Sequence, residues 1–229
     1  MGSPSQQADR SVGRHYQGDL GEEYFDWQRQ GNDLSAELER PKFEPYVGPR
    51  DTVVDFGCGA AALLAALPAA ERIGIEPNPP ARAAGKERGV RMVESARELE
   101  DGVADVVISN HALEHTLSPL DELRELHRLL RPGGRLVLWL PLDDWRTQRR
   151  PRRDDNHHLY TWTPLLLRNL LEEAGFEVRE CRVVAHAWPQ FHELLFRRLP
   201  RPAFDAVARA WAIVRRHRQL MALAGRPAA

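Results

Sequence analysis

"VVDFGCGAA", residues 53–61, joins an apolar, β-branched run to an alanine- and leucine-rich run through two glycines that bracket one residue. A strand that ends in such a turn and passes into a helix is the ligand-binding corner of a doubly wound α/β sheet. Working outward, the chain from residue 51 alternates short apolar runs with helix-like stretches, as parallel strands joined by crossover helices do. The predicted strands are "TVVDF" (52–56), "RIGIE" (72–76), "VRMV" (90–93), "ADVVIS" (104–109), "RLVLWL" (135–140) and "FEVRECRV" (176–183), with "QLMALAG" (219–225) as a seventh. Their apolar residues run almost without interruption, as burial on both faces requires. The expected fold is therefore α/β: a Rossmann-like, doubly wound, mostly parallel seven-stranded sheet.

Between the fourth and fifth strands, Leu120, Leu123, Leu126 and Leu130 recur at helical spacing, and "RPGG" (131–134) is expected to end that helix and turn the chain. A second helix opens at Thr163 and Pro164 and stops at Gly175, with Leu166, Leu167, Leu170, Leu171 and Ala174 on one face. Residues 1–50 read as a helical N-terminal preface whose first dozen residues are expected to be mobile. Residues 51–184 form the core, and 185–229 form a helical insertion plus the final strand of the same domain. The insertion, broken once at "LPRP", reads as two helices.

The 229 residues carry 32 basic and 33 acidic side chains, a net charge of −1, so no global field would draw in nucleic acid or an anionic membrane. No nucleic-acid partner is expected. Cys58 and Cys181 lie far apart in sequence, no Cys/His spacing suits zinc, and a reducing cytoplasm is the simplest compartment. The opening "MGSPSQQADR" lacks a basic segment followed by an apolar core, and no run reaches the roughly 20 apolar residues of a membrane span.

Two glycines alone do not choose a ligand. A dinucleotide loop places a third glycine three residues after the second, where this chain has Ala62. Alanine is tolerated there, so that ligand is demoted and not excluded. Asp55 is sharper, because a carboxylate at the strand end would repel a pyrophosphate and attract a cationic amino group. S-adenosylmethionine offers such a group and has no phosphate. Gly57 and Gly59 would let the backbone approach its amino-acid part, and Glu76, about twenty residues later, would accept hydrogen bonds from both ribose hydroxyls.

At this point the sequence resembles the class I S-adenosylmethionine-dependent methyltransferases, in the small-molecule subgroup of the methyltransferase type 11 and type 12 families. "VVDFGCGAA" is similar to their first motif and "IGIEPN" to the ribose-acid segment. "DVVISNHALEHTLSPLDELRELHRLLRPGGRLVLWLP" is similar to the fourth strand through the fifth, and "HHLYTWTPLLLRNLLEEAGFEV" to the histidine-aromatic loop, helix and strand that follow. The resemblance spans roughly residues 51–184. It implies that Asp55, Gly57 and Gly59, with the backbone of Cys58, hold the methionine part of the cofactor S-adenosylmethionine. It further implies that Glu76 holds the ribose, that Pro77 and Asn78 flank the adenine, and that Ser95 or its neighbour Ala96 occupies the adenine-amine position. Asn110 and His111 correspond to the segment beside the methionine moiety and the substrate.

Bland readings stand beside these: Asp55 as a helix cap, Glu76 as a solvated strand end, and Cys58 as a small residue and not a nucleophile. His111 and His115 bracket "ALEH" and would share a helical face, but a metal pair needs a third ligand. His157 or His158 could supply one in space; the resemblance explains the positions without it, and no metal is expected. His115 is the first candidate for proton removal and His158 the second. Tyr160, Trp162, Tyr16 and Tyr24 are candidates for a substrate cover, and Trp27 for packing. In the last helices, Arg209, Arg215, Arg216 and Arg218 stand opposite Phe204, Val207, Trp211 and Val214, read as a solvated face over a packed stripe. A membrane contact or a homodimer would use the same surface, and stable membrane insertion is not expected.

The leading expectation is methyl transfer to oxygen, nitrogen or carbon of a small molecule such as a sugar, a glycan precursor or a specialised metabolite. Base methylation is disfavoured because "SNHALEH" has no "NPPY" character and no Pro-Cys nucleophile is present. A catalytically silent donor-binding scaffold and an NAD-linked oxidoreductase are the alternatives. Segments 14–47, 141–160 and 185–218 are expected to choose the acceptor.

Overall fold

A computed structural model describes Gly21 and residues 32–142 and 157–228. Tyr16, Tyr24 and Trp27, most of the expected preface, and much of the 141–160 segment lie outside the described residues. The chain orders its elements as α1 (Asn32–Glu39), β1 (Thr52–Phe56), α2 (Ala62–Ala65), β2 (Glu71–Ile75), α3 (Pro79–Glu87), β3 (Arg91–Val93), β4 (Ala104–Asn110), α4 (Pro119–Leu129), β5 (Leu130–Pro141), α5 (Pro164–Glu173), β6 (Glu177–Ala185), α6 (His192–Arg198), α7 (Arg201–Arg215) and β7 (Arg218–Gly225). These strands build one seven-stranded sheet in the order β3-β2-β1-β4-β5-β7-β6. β7 is antiparallel to both of its neighbours and the other pairings are parallel.

The order reverses between the paired strands β1 and β4, and the carboxyl ends of strands at such a switch point are where α/β sheets bind ligands. Every residue of β1 is buried. Successive residues feed opposite cores. Val54 and Phe56 join Leu123, Leu126, Leu129, Leu167 and Leu171 of α4 and α5, while Val53 joins Phe43, Leu64, Leu67 and Trp139 on the other face. Two-sided burial is the physical reason the strands read as continuous apolar runs.

Three local expectations are corrected. The "RPGG" stretch does not stand outside the sheet: β5 begins at Leu130, directly after α4, and the irregularity is absorbed as a register shift opposite Ala104–Val106, with Gly133 in the left-handed region at φ 79°. On α7 the buried stripe is Phe204, Ala208 and Ala212, whereas Val207 and Val214 face outward. Phe204 and Ala208 pack on Leu38 of α1, so the insertion closes over the preface and fixes which face is inward. On α5, Leu166 is exposed while Leu167 and Leu171 are buried. Among the described residues no helix is long and apolar enough to cross a membrane.

Candidate functional site

The crevice is built by the sharp exit from β1. Gly57 and Gly59 take φ values of 72° and 53°, and the Gly57 and Cys58 N–H groups both donate to the Ile75 carbonyl, at 2.9 and 3.2 Å. This folds the loop against the end of β2. Ala61, at φ 57°, is the next left-handed residue and precedes the first residue of α2.

A Cβ on Gly57 would lie 2.3 Å from the Cβ of Ala112, the residue that begins the turn after β4. Gly57→Ala therefore meets both a left-handed backbone and an overlap, together worth about 2–5 kcal/mol. The expected result is a lower melting temperature accompanied by weakened donor binding; a variant that melts like the wild type would contradict the tight approach of the two strand ends.

Asp55 is 3% exposed. Burial, and secondarily the nearby Glu76 charge, push its carboxyl well above the ordinary range. The half-buried Glu76 accepts the Gly59 N–H on Oε2 and the Asn78 N–H on Oε1, both at 2.9 Å, so its carboxylate ties the β1 loop to the β2 exit. Burial still raises its pKa, against the opposing pull of those two N–H groups and of Arg82. The same surroundings raise the Cys58 thiol, by burial first and then by the two carboxyls. A thiol so placed is a poor nucleophile. A cation entering the crevice would favour the ionised form of both carboxyls, whereas a phosphate would oppose it, so the crevice is receptive to a cation and not to phosphate.

A cavity of ≈ 240 Å³ opens over this loop, lined by Asp55, Gly57, Cys58, Gly59 and Asn110 and roofed by Ser35, Ala36 and Glu39 of α1. The remaining expected donor residues sit around it and not in its wall. Asn78 gives its side-chain N–H to the Gly21 carbonyl at 2.6 Å. Pro77 is half-buried beside it. Ser95 caps the short turn Ala96–Glu98, and Ala96 points into the core. His111 stands at φ 55° with its N–H on the Trp139 carbonyl at 2.8 Å. Burial, then the Lys42 charge, lower its pKa to about 4, so the ring is neutral at pH 7.

Sequence reading missed the roof. Glu39 accepts from the Asn110 amide at 3.1 Å, lies 3.4 Å from His186 Nε2 and pairs with Lys42, whose ammonium also bonds Gln219 Oε1 at 2.8 Å and covers the Trp139 ring at 4.8 Å. Beyond Lys42 lies a second cavity of ≈ 450 Å³, with Trp139, His186, Trp188, Arg182 and Arg209 in its wall. Lys42 is one of only two lysines in the chain, the single hint the sequence offered.

His115 and His158 do come together. Their ring centroids are 5.0 Å apart. Glu114, wholly buried in the short turn Leu113–His115, sits between them with Oε1 3.8 Å from His115 Nε2 and 4.0 Å from His158 Nε2. The strap carrying His158 is held by the Leu159 N–H on the Glu114 carbonyl and by the Tyr160 hydroxyl on the Leu117 carbonyl, each at 2.9 Å.

Known proteins agree with this architecture. Residues 19–181 match the family described as "Methyltransferase domain". An uncharacterised methyltransferase of Mycobacterium sp. (strain JLS) is 36% identical over 113 residues, covering 46% of this chain and 44% of that protein. An uncharacterised 37.1 kDa protein in transposon TN4556 of Streptomyces fradiae is 33% identical over 116 residues, 42% of this chain and 31% of its own length. The alignments thus span less than half the length of these curated relatives. Among solved structures, the complex of the Haloferax volcanii Trm112 methyltransferase activator with a methyltransferase superposes with TM-score 0.62 at 21% identity, covering 90% of this chain and 98% of that one. A Haemonchus contortus phosphoethanolamine N-methyltransferase 2 in complex with S-adenosyl-L-methionine superposes with TM-score 0.58 at 16% identity, covering 93% and 58%. With the family matched across most of its length and the sheet order described above, the chain belongs to the class I methyltransferases.

Proposed function

We propose that the protein transfers a methyl group from S-adenosylmethionine to a small molecule. The observation that carries this is the pair Asp55 and Glu76, two carboxyls closing a phosphate-hostile crevice beside a left-handed glycine loop. The donor's ammonium would face Asp55, its ribose hydroxyls Glu76, and its methyl group the side toward Asn110 and the turn after β4. The ≈ 450 Å³ cavity next to it is of a size for one small acceptor, and its wall of Trp139, Trp188, Lys42 and Arg209 would hold a partly polar one. Transfer at a sulfonium is an in-line displacement, so the chain mainly positions the nucleophile and, for a hydroxyl, helps its proton leave. His115 and His158, in the turn after β4 and the strap packed on it, are the residues we assign to that help.

Donor binding should release protons. In the donor-free protein the raised pKa of Asp55 favours the neutral carboxyl; an ammonium beside it favours the ionised form, so affinity should rise with pH below the donor-free pKa and level off above it. Calorimetry in buffers of different ionisation enthalpy measures this directly. Proton uptake, or a binding enthalpy independent of buffer, would separate Asp55 from the ammonium. Release of S-adenosylhomocysteine with an acceptor panel distinguishes an enzyme from a silent binder.

A further inference from the structure

We propose that Glu114, His115 and His158 form a divalent transition-metal site where the turn after β4 meets the strap that carries His158. One oxygen and two imidazole nitrogens from these residues all lie within 4.8 Å of one another. The separations of 3.8 and 4.0 Å from Glu114 Oε1 to the two Nε2 atoms are too long for hydrogen bonds. They are close to the spacing of ligands around one ion: bonds of about 2.0–2.2 Å in a tetrahedron put ligand atoms roughly 3.4 Å apart, so the two pairs made with Glu114 close by about half an ångström, while the imidazole nitrogens, within 4.8 Å of each other, close by up to about 1.4 Å through rotation of the rings. His111 Nδ1 approaches the same oxygen, at 3.9 Å, from the third side.

The placement is rigid before any ion enters. Glu114 is fixed by a buried turn, and two hydrogen bonds to main-chain carbonyls, one from the Leu159 N–H and one from the Tyr160 hydroxyl, hold the strap of His158 near that turn, although the two histidines are far apart in sequence. Both imidazoles keep a little exposure, 14% and 16%, so an ion can reach them from solvent. Two nitrogens and one carboxylate suit zinc, manganese, iron or cobalt better than magnesium or calcium, which prefer oxygen-only sets.

Position gives the ion its use, and this part rests on the methyltransferase reading. Asn110 lines the donor cavity and Ala112 abuts Gly57, and, a short way further along the chain, Glu114 and His115 supply two of the three ligands. An acceptor hydroxyl bound to the ion would lose its proton to solvent more readily. Its oxygen then forms the new O–C bond to the donor's methyl carbon, while the C–S bond breaks and its electron pair stays on sulfur as a neutral thioether.

The test uses untagged protein stripped with chelator and titrated separately with Zn²⁺, Mn²⁺ and Co²⁺, the cobalt form also being read by visible absorption. One equivalent should bind saturably, and Glu114→Gln and His158→Ala should each weaken Co²⁺ about 10- to 100-fold, with His192→Ala as a distant control. If Glu114→Gln fails to fold, as judged by circular dichroism, His158→Ala on the partly exposed strap decides alone. Absence of saturable binding by all three cations, or unchanged Co²⁺ affinity in His158→Ala, overturns the site. Binding of S-adenosylhomocysteine is measured in parallel: its loss with metal binding intact would sink the methyltransferase reading and leave the metal site standing.

Discussion

Glu76→Ala is expected to weaken S-adenosylmethionine binding about 100-fold or more in calorimetry, the largest effect on ligand affinity at any single position of the crevice. A carboxylate offers about four lone-pair sites. Two are filled by the Gly59 and Asn78 N–H groups, which leaves two for the hydroxyls of a ribose. Charge-assisted bonds are worth about 1.5–3 kcal/mol each before water compensates, and two of them account for the expected loss. The substitution also frees the Gly59 N–H, loosening the loop that must fit the methionine part. Glu76→Gln separates the two effects, because an amide still has an oxygen for one N–H but offers its NH₂ where a hydroxyl should donate. Affinity unchanged in Glu76→Ala, with the fold intact by circular dichroism, would remove Glu76 from the donor site and with it the main support for the cofactor.

The sheet was legible because its causes are local. Continuous β-branched runs such as "TVVDF" and "RLVLWL" encode burial on both faces, and Thr163-Pro164 with Gly175 encodes both ends of α5. What was not legible depends on residues distant in sequence. The "RPGG" stretch reads as a turn until its pairing opposite β4 and Arg226 absorbs it into β5. The inward stripe of α7 is chosen by Leu38 of α1, which no periodicity within α7 reveals. Glu114 carries no signal of its own in "ALEH"; only the strap that returns with His158 turns it into the centre of a cluster. The roof residue Glu39 was invisible for the same reason, since its partners Asn110 and His186 lie 71 and 147 residues away.

That roof carries the second large expectation, a loss of stability. Lys42 is 7% exposed, and its partner Glu39 is nearly as enclosed, with 14% of its side chain in contact with solvent. The two groups describe opposite sides of one interaction. Burial alone would raise the Glu39 carboxyl, yet the Lys42 charge and the His186 contact outweigh it and hold the carboxyl far below its ordinary range. For Lys42 burial prevails, and its pKa falls despite the attraction of Glu39. The pair as a whole is therefore worth little, but half of it is costly, because removing one partner leaves an uncompensated buried charge. Lys42→Met should destabilise the protein by about 3–5 kcal/mol. For a domain of this size that corresponds to a fall of roughly 10 °C in melting temperature. Adding Glu39→Gln to Lys42→Met removes the stranded charge and should recover most of the loss. The pH dependence follows from the lowered carboxyl: its contribution is present in full above the unfolded pKa and is lost only as pH falls toward the folded value, so the wild type should keep it through mildly acid solution. Lys42→Met should instead gain relative to wild type as acid neutralises its unpaired Glu39. Melting curves of the three proteins between neutral and mildly acid pH decide the matter. A single variant as stable as the wild type would mean that water reaches Glu39, and that α1 is a loose cover over the donor cavity and not a fixed roof.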